Sequence, residues 1–174
     1  MDAEFGTPIR EPEGLIALDR VVRVPTANDV EGLAALFSEM QQHYRRPVID
    51  ATALNAARLA CRPPESTFDP RVLIAVQDDR ILGSIVLNVT FPAFELSLAL
   101  YIRDLYVSAL ARRSGVGRDL VNAAARLTYA EGYSALDWTT EATNQAAQKM
   151  YESCGARLLS RIYYRLARED LTRC

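Results

Sequence analysis

The residues best equipped for chemistry are Arg112-Arg113-Ser114-Gly115-Val116-Gly117-Arg118. A hydrophobic strand pattern ends near Val107, and the strongest helical pattern of the chain opens at Gly115. A helix N-terminus carries unpaired N–H groups and about half a positive charge, so it attracts phosphate. Glycines at 115 and 117 let the backbone approach an anion closely, and Arg112 and Arg113 add fixed charge. The same spacing also fits a plain turn with solvated arginines, and spacing alone leaves both readings open. The segment is not a dinucleotide fingerprint, which needs G-x-G-x-x-G, nor a P-loop, which needs Gly-Lys-Ser/Thr.

Tyr151 lies on an amphipathic helical pattern with Ala147, Met150 and Cys154, where a packing role and a chemical one both fit. The single histidine, His43, stands beside Tyr44 and Arg45-Arg46 and reads as a surface residue. Cysteines 61, 154 and 174 are odd in number and lack metal-ligand spacing, so no metal site is expected. Reduced thiols in a cytoplasmic protein are the simpler reading.

An α/β alternation surrounds these residues. The 174-residue chain is 49% hydrophobic, enough for one domain burying roughly 70% of its unfolded surface. Residues 1–19 mix Pro, Gly and charge and read as a flexible leader, with a single domain over 20–174. Val21–Val24 reads as a strand, and Thr26 or Asn28 caps a helix bearing Leu33, Leu36, Phe37 and Met40 on one face. A second helix spans Asp50–Cys61 and stops at Arg62-Pro63-Pro64.

Val72–Val76 and Ile81–Val89 then form a hairpin about Gln77-Asp78-Asp79-Arg80, and Leu98–Val107 is another strand. Gly115–Glu131 is a helix ended by Gly132, Ala135–Thr140 a strand, Asn144–Ser153 a helix ended by Gly155, and Arg157–Leu166 a final strand. The order β-α-α-β-β-β-α-β-α-β predicts an α/β fold, a mixed, largely antiparallel twisted sheet of about six or seven strands with about four helices. No apolar stretch reaches the ~18 residues of a membrane span, and no signal pattern opens the chain. The net charge of −2 argues against nucleic acid as a partner.

The R-x-x-G-x-G spacing between strand and helix resembles the acetyl-CoA pyrophosphate loop of the GNAT superfamily. Val21–Leu36 resembles that family's opening strand and helix, and Asn144-x-x-Ala147-x-x-x-Tyr151-x-x-x-Gly155 its late helix. Segment Gly83–Val107, with its Phe91-Pro92-Ala93-Phe94 turn, resembles the diamine acetyltransferases. Together these resemblances cover about residues 20–168.

The resemblance implies an acetyl-CoA-dependent N-acetyltransferase acting on a small-molecule or peptide amine, and a homodimer to which Phe91–Leu100 contributes. It implies that the backbone of Leu105, Tyr106 and Val107 binds the pantetheine arm. Arg112, Arg113, Ser114, Gly115, Val116, Gly117 and Arg118 would hold the pyrophosphate, with Asn144 and Ala147 on the far side of the cofactor.

Amine attack on a thioester needs a base, because an alkyl amine is neutral only about once in 2,500 molecules at pH 7. The departing thiolate needs an acid, and the resemblance places Tyr151 there. In the diamine enzymes a glutamate precedes the aspartate of the strand matching Leu98–Val107, and here that position is Arg103. Asp104 remains the candidate base or amine anchor, with Glu95 and Glu141 as weaker candidates, though each carboxylate also fits a surface salt bridge. Trp138 fits a core position close to the family's substrate groove. Loss of that glutamate also leaves open a domain that binds acyl-CoA as a sensor without turnover.

Overall fold

The computed structural model describes residues 20–173, so the expected leader lies outside the described residues. Five strands form one sheet in the order β1 (Val21–Arg23), β2 (Arg71–Gln77), β3 (Arg80–Thr90), β4 (Ala99–Val107) and β5 (Leu136–Asp137). The first four pair antiparallel and β5 joins β4 in parallel, giving the mixed, largely antiparallel sheet expected. Helices α1 (Val30–His43) and α2 (Asp50–Ala60) precede β2, α3 (Val116–Ala130) links β4 to β5, and α4 (Gln145–Ser153) follows β5.

Each element has a local cause. Thr26 and Asp29 form a reciprocal capping box ahead of α1. The β2–β3 turn is two residues long, with Asp78 and Asp79 both at positive φ (50° and 58°), matching the right-handed twist of the strands. Left-handed Gly132 and Gly155 follow α3 and α4.

The sheet is buried on both faces because alternate side chains serve two cores. Leu73, Ile85, Leu87, Leu100 and Ile102 meet Val116, Leu120 and Ala124 of α3. On the opposite face Ile74 and Tyr106 meet Leu33, Leu36 and Phe37 of α1 and Ala53 and Ala57 of α2. Gly83 makes the first packing close: a Cβ there would stand 2.7 Å from the Tyr106 carbonyl oxygen and 3.1 Å from Val116 Cγ1.

Among the described residues the sheet has five strands where six or seven were expected, and two expectations fail at its β5 end. The strand predicted over Ala135–Thr140 contracts to Leu136–Asp137, and residues 157–166 form no strand. Strand-forming side chains need an edge to pair with, and a two-residue strand offers too few free groups for a ladder. Leu158, Ile162, Tyr164 and Leu166 consequently stay exposed. No helix among the described residues is long and apolar enough to cross a membrane.

Candidate active site

The site begins with a fault in the β3–β4 ladder. Val86 pairs with Asp104 but Leu87 pairs with Ile102, so Arg103 is an extra residue in β4. Such a bulge reverses the alternation of side chains beyond it. Ile102 faces the α3 core, and two residues later Asp104 faces the α1–α2 side with Tyr106. Without the bulge Ile102 and Asp104 would share one face. The carboxylate thus enters a cleft of about 390 Å³ walled by Phe37, Met40, Val48, Ile49 and Val86. Its Oδ2 is buried and without a hydrogen-bond partner among the described residues. Burial pushes the Asp104 carboxyl above the ordinary carboxylate range, against the pull of Arg103 and Arg46.

Beyond Tyr101 the other edge of β4 is open, because β5 ends at Asp137. Strand β4 runs on to Val107 and into the loop before α3, where Arg113 and Gly115 take positive φ of 64° and 89°. The first amide of α3 with a backbone acceptor is that of Asp119, which donates to the Gly115 carbonyl. The amides of Val116, Gly117 and Arg118 have none among the described residues, as a helix start dictates. A Cβ on Gly117 would make only ordinary contacts, 3.6 Å from Met150 Cε and 3.8 Å from Val107 Cγ2, so packing does not demand glycine there. This combination of open strand edge, free helix amides and unfilled space suits an extended ligand ending in phosphates.

The loop arginines divide their roles. Arg112 Nε donates to the Val107 carbonyl at 3.2 Å, and its guanidinium lies over the Tyr106 ring. Arg118 donates to Ser153 Oγ at 3.2 Å, tying α3 to α4. Arg20 Nε donates to Asp119 Oδ2 at 2.7 Å, and Arg20 Nη2 to the Ser114 carbonyl at 3.1 Å, clipping the loop from outside.

Glu39 holds the loop from below. Its carboxylate accepts from the Ala109 amide (2.7 Å), Ser108 Oγ (2.9 Å) and the Tyr106 hydroxyl (3.1 Å). Burial alone would raise its pKa, but these donors outweigh that and leave it below the usual value. Its stabilisation is therefore full above the unfolded-state pKa and is lost as pH falls through the lower folded one. Glu39→Ala should cost about 1–3 kcal/mol at pH 7, the penalty for stranding such donors. Denaturant unfolding at pH 7 and pH 3 checks this, and the gap to wild type should shrink on acidification.

Tyr151, half-buried on α4, meets Trp138 edge-on with ring centroids 5.1 Å apart. Both line a second cleft of about 500 Å³ between β5, α4 and residues 156–161. Burial raises the Tyr151 phenol, and Tyr44 and the Asp104 carboxylate raise it further. The same Asp104 charge raises Tyr44, after burial. Asp104 on β4, Tyr151 on α4 and Tyr44 at the end of α1 thus lie within electrostatic reach of one another.

The remaining candidates are placed less centrally. Asn144 caps α4, its Oδ1 accepting from the Ala147 amide at 3.2 Å. Glu95 sits at φ 57° in the exposed β3–β4 connection, outside both clefts. Glu141 is exposed before α4, and His43 is exposed with its ring 5.2 Å from that of Tyr44. Among the described residues, no group of three or more His, Cys, Asp or Glu side chains could hold a metal ion. The sequence reading missed Glu39, Arg20 and Tyr44 as site-building residues. Only Tyr44 carried a signal, its place beside Arg45-Arg46 at a helix end.

The fold is similar to that of several solved structures. An integron cassette protein from the mobile metagenome of V. cholerae superposes with TM-score 0.74 at 28% identity, over 90% of this chain and 98% of that one. A probable acetyltransferase gives 0.72 at 25% identity, over 85% and 96%. The aminoglycoside N-acetyltransferase AAC(6')-Iy, solved with a CoA bisubstrate analogue, gives 0.69 at 17% identity, over 86% and 98%, a likeness of fold alone. Residues 33–156 match the profile of the Acetyltransferase (GNAT) family, and the chain belongs to that family of acetyltransferases.

Proposed function

We propose that this acetyltransferase uses acetyl-CoA to acetylate a primary amine by direct attack on the thioester. The observation that carries the reading is Asp104, whose buried, unpartnered Oδ2 is turned by the bulge toward the cleft on the α1–α2 side of β4. Acetyl-CoA supplies an activated acetyl group. Leu105, Tyr106 and Val107 offer backbone groups along the open edge, and the amides of Val116, Gly117 and Arg118 receive the pyrophosphate with Arg113 and Ser114 beside them. Asn144 and Ala147 border the far side through the α4 cap.

Asp104 removes the ammonium proton, directly or through water, and its raised pKa makes it a stronger base than a solvated carboxylate. A carbon–nitrogen bond forms, the carbon–sulfur bond breaks, and Tyr151 delivers a proton to the departing sulfur and is reprotonated by the second proton that the new amide nitrogen sheds, directly or through water. Trp138 fixes the Tyr151 ring. The assembly is a homodimer in this reading, and exposed Phe91, Phe94 and Leu96 at the β3–β4 end offer an apolar contact.

The test is amine-dependent release of free thiol from acetyl-CoA, with the acetylated product identified by mass. Release with an amine present and none without it is expected. Stabilisation by acetyl-CoA with no product from any amine would instead mark a binding domain.

A further inference from the structure

The cleft beside Asp104 narrows the acceptor, on the strength of the acetyl-transfer reading above. Its wall is mostly apolar, with Phe37 and Met40 from α1, Pro47, Val48 and Ile49 from the α1–α2 connection, and Val86 from β3, and its neutral polar residues are Ser38, Gln41 and Thr52. Asp104 is its one carboxylate, and the other charged residue lining it is Arg103. Arg46 lies near enough to act on Asp104 and rests over the Tyr44 ring. Neither arginine forms an ion pair within 4.0 Å among the described residues. The cleft therefore holds one anionic point for a cation, with the unpaired positive charge of Arg103 and Arg46 beside it.

A polycation such as a polyamine or an aminoglycoside carries several ammonium groups. Docking one of them on Asp104 brings the rest against Arg46, Arg103 and an apolar wall, where unpaired charge is costly. A molecule with one primary ammonium and an apolar body meets neither penalty. Its ammonium satisfies the orphaned Oδ2, and its body takes apolar wall out of water at roughly 25 cal/mol per Å². The volume of about 390 Å³ falls in the range of small-molecule sites. We infer that the acceptor is a primary monoamine with an apolar body, selected by the Val48–Ile49 wall and by the arginines around Asp104.

The experiment compares kcat/KM at saturating acetyl-CoA for phenethylamine, leucinamide, spermidine and kanamycin, in the wild type and in Val48→Glu. The better apolar monoamine should exceed both polycations by at least tenfold. Val48→Glu should cut that ratio at least tenfold while leaving the KM for acetyl-CoA within about twofold. A polycation preferred by the wild type, or a ratio untouched by Val48→Glu, overturns the inference and leaves the acetyltransferase reading standing. No turnover of any of the four amines, or of a wider amine panel, overturns both. Because Val48 lies in a loop and is partly exposed, the substitution spares the core, and an unchanged melting temperature confirms a folded variant.

Discussion

Asp104→Asn should lower kcat/KM for the amine by about 10²–10⁴, the range associated with a general base, while making the protein more stable at neutral pH. The two effects share one cause. Burial in the apolar cleft disfavours the charged carboxylate and raises its pKa, so the folded state holds the Asp104 proton more tightly than the unfolded chain does. Ionising Asp104 therefore costs stability. The cost is absent below the unfolded-state pKa, where the group is neutral in both states, and complete above the raised folded one.

Asparagine is neutral throughout, so the variant's advantage should appear as pH rises through that window and vanish in acid. An advantage of about 1 kcal/mol raises the Tm by about 2–4 °C in a domain of this size. Activity of the wild type should show an acid limb above the ordinary carboxylate range. Parallel pH profiles of kcat/KM and Tm for the two proteins decide the matter. Wild-type turnover in the Asn variant would remove Asp104 from the chemistry, and a lower Tm at neutral pH would show that its charge is compensated.

Part of this site was legible in the sequence and part was not, for reasons particular residues make plain. The helix start at Val116 was legible because Gly115 and Gly117 interrupt an otherwise continuous strand-to-helix pattern. The β2–β3 hairpin was legible because alternation and the Asp78-Asp79 turn agree. The bulge at Arg103 was not, since Tyr101–Val107 reads as one strand until its pairing with β3 is known. That single extra residue decides which core Asp104 faces.

Glu39 was invisible for a different reason. A glutamate late in an amphipathic helix reads as solvated, and its three donors come from 67 to 70 residues away. The absent strand over residues 157–166 shows the converse error. Its side chains suit a sheet, but strand formation needs a partner edge, and the length of β5 is not written in the segment itself.

Tyr151→Phe should reduce kcat by about 10²-fold with little change in the KM for acetyl-CoA, because the phenol proton matters as the sulfur departs and not before. The ring itself stays, and with it the edge contact to Trp138, so the fold should be unaffected. Burial, then Tyr44 and Asp104, push the Tyr151 pKa above that of an ordinary tyrosine, so the proton remains available across the neutral and mildly alkaline range. A donor role makes a further demand that a packing role does not. Acetyl thioesters of more acidic thiols need less protonation of the leaving group, so the deficit of the Phe variant should shrink as the thiol pKa falls. A deficit that stays constant along such a series would assign Tyr151 to positioning the α4 side of the cleft, and full kcat in the variant would place the acid elsewhere, with Tyr44 the next phenol within electrostatic reach.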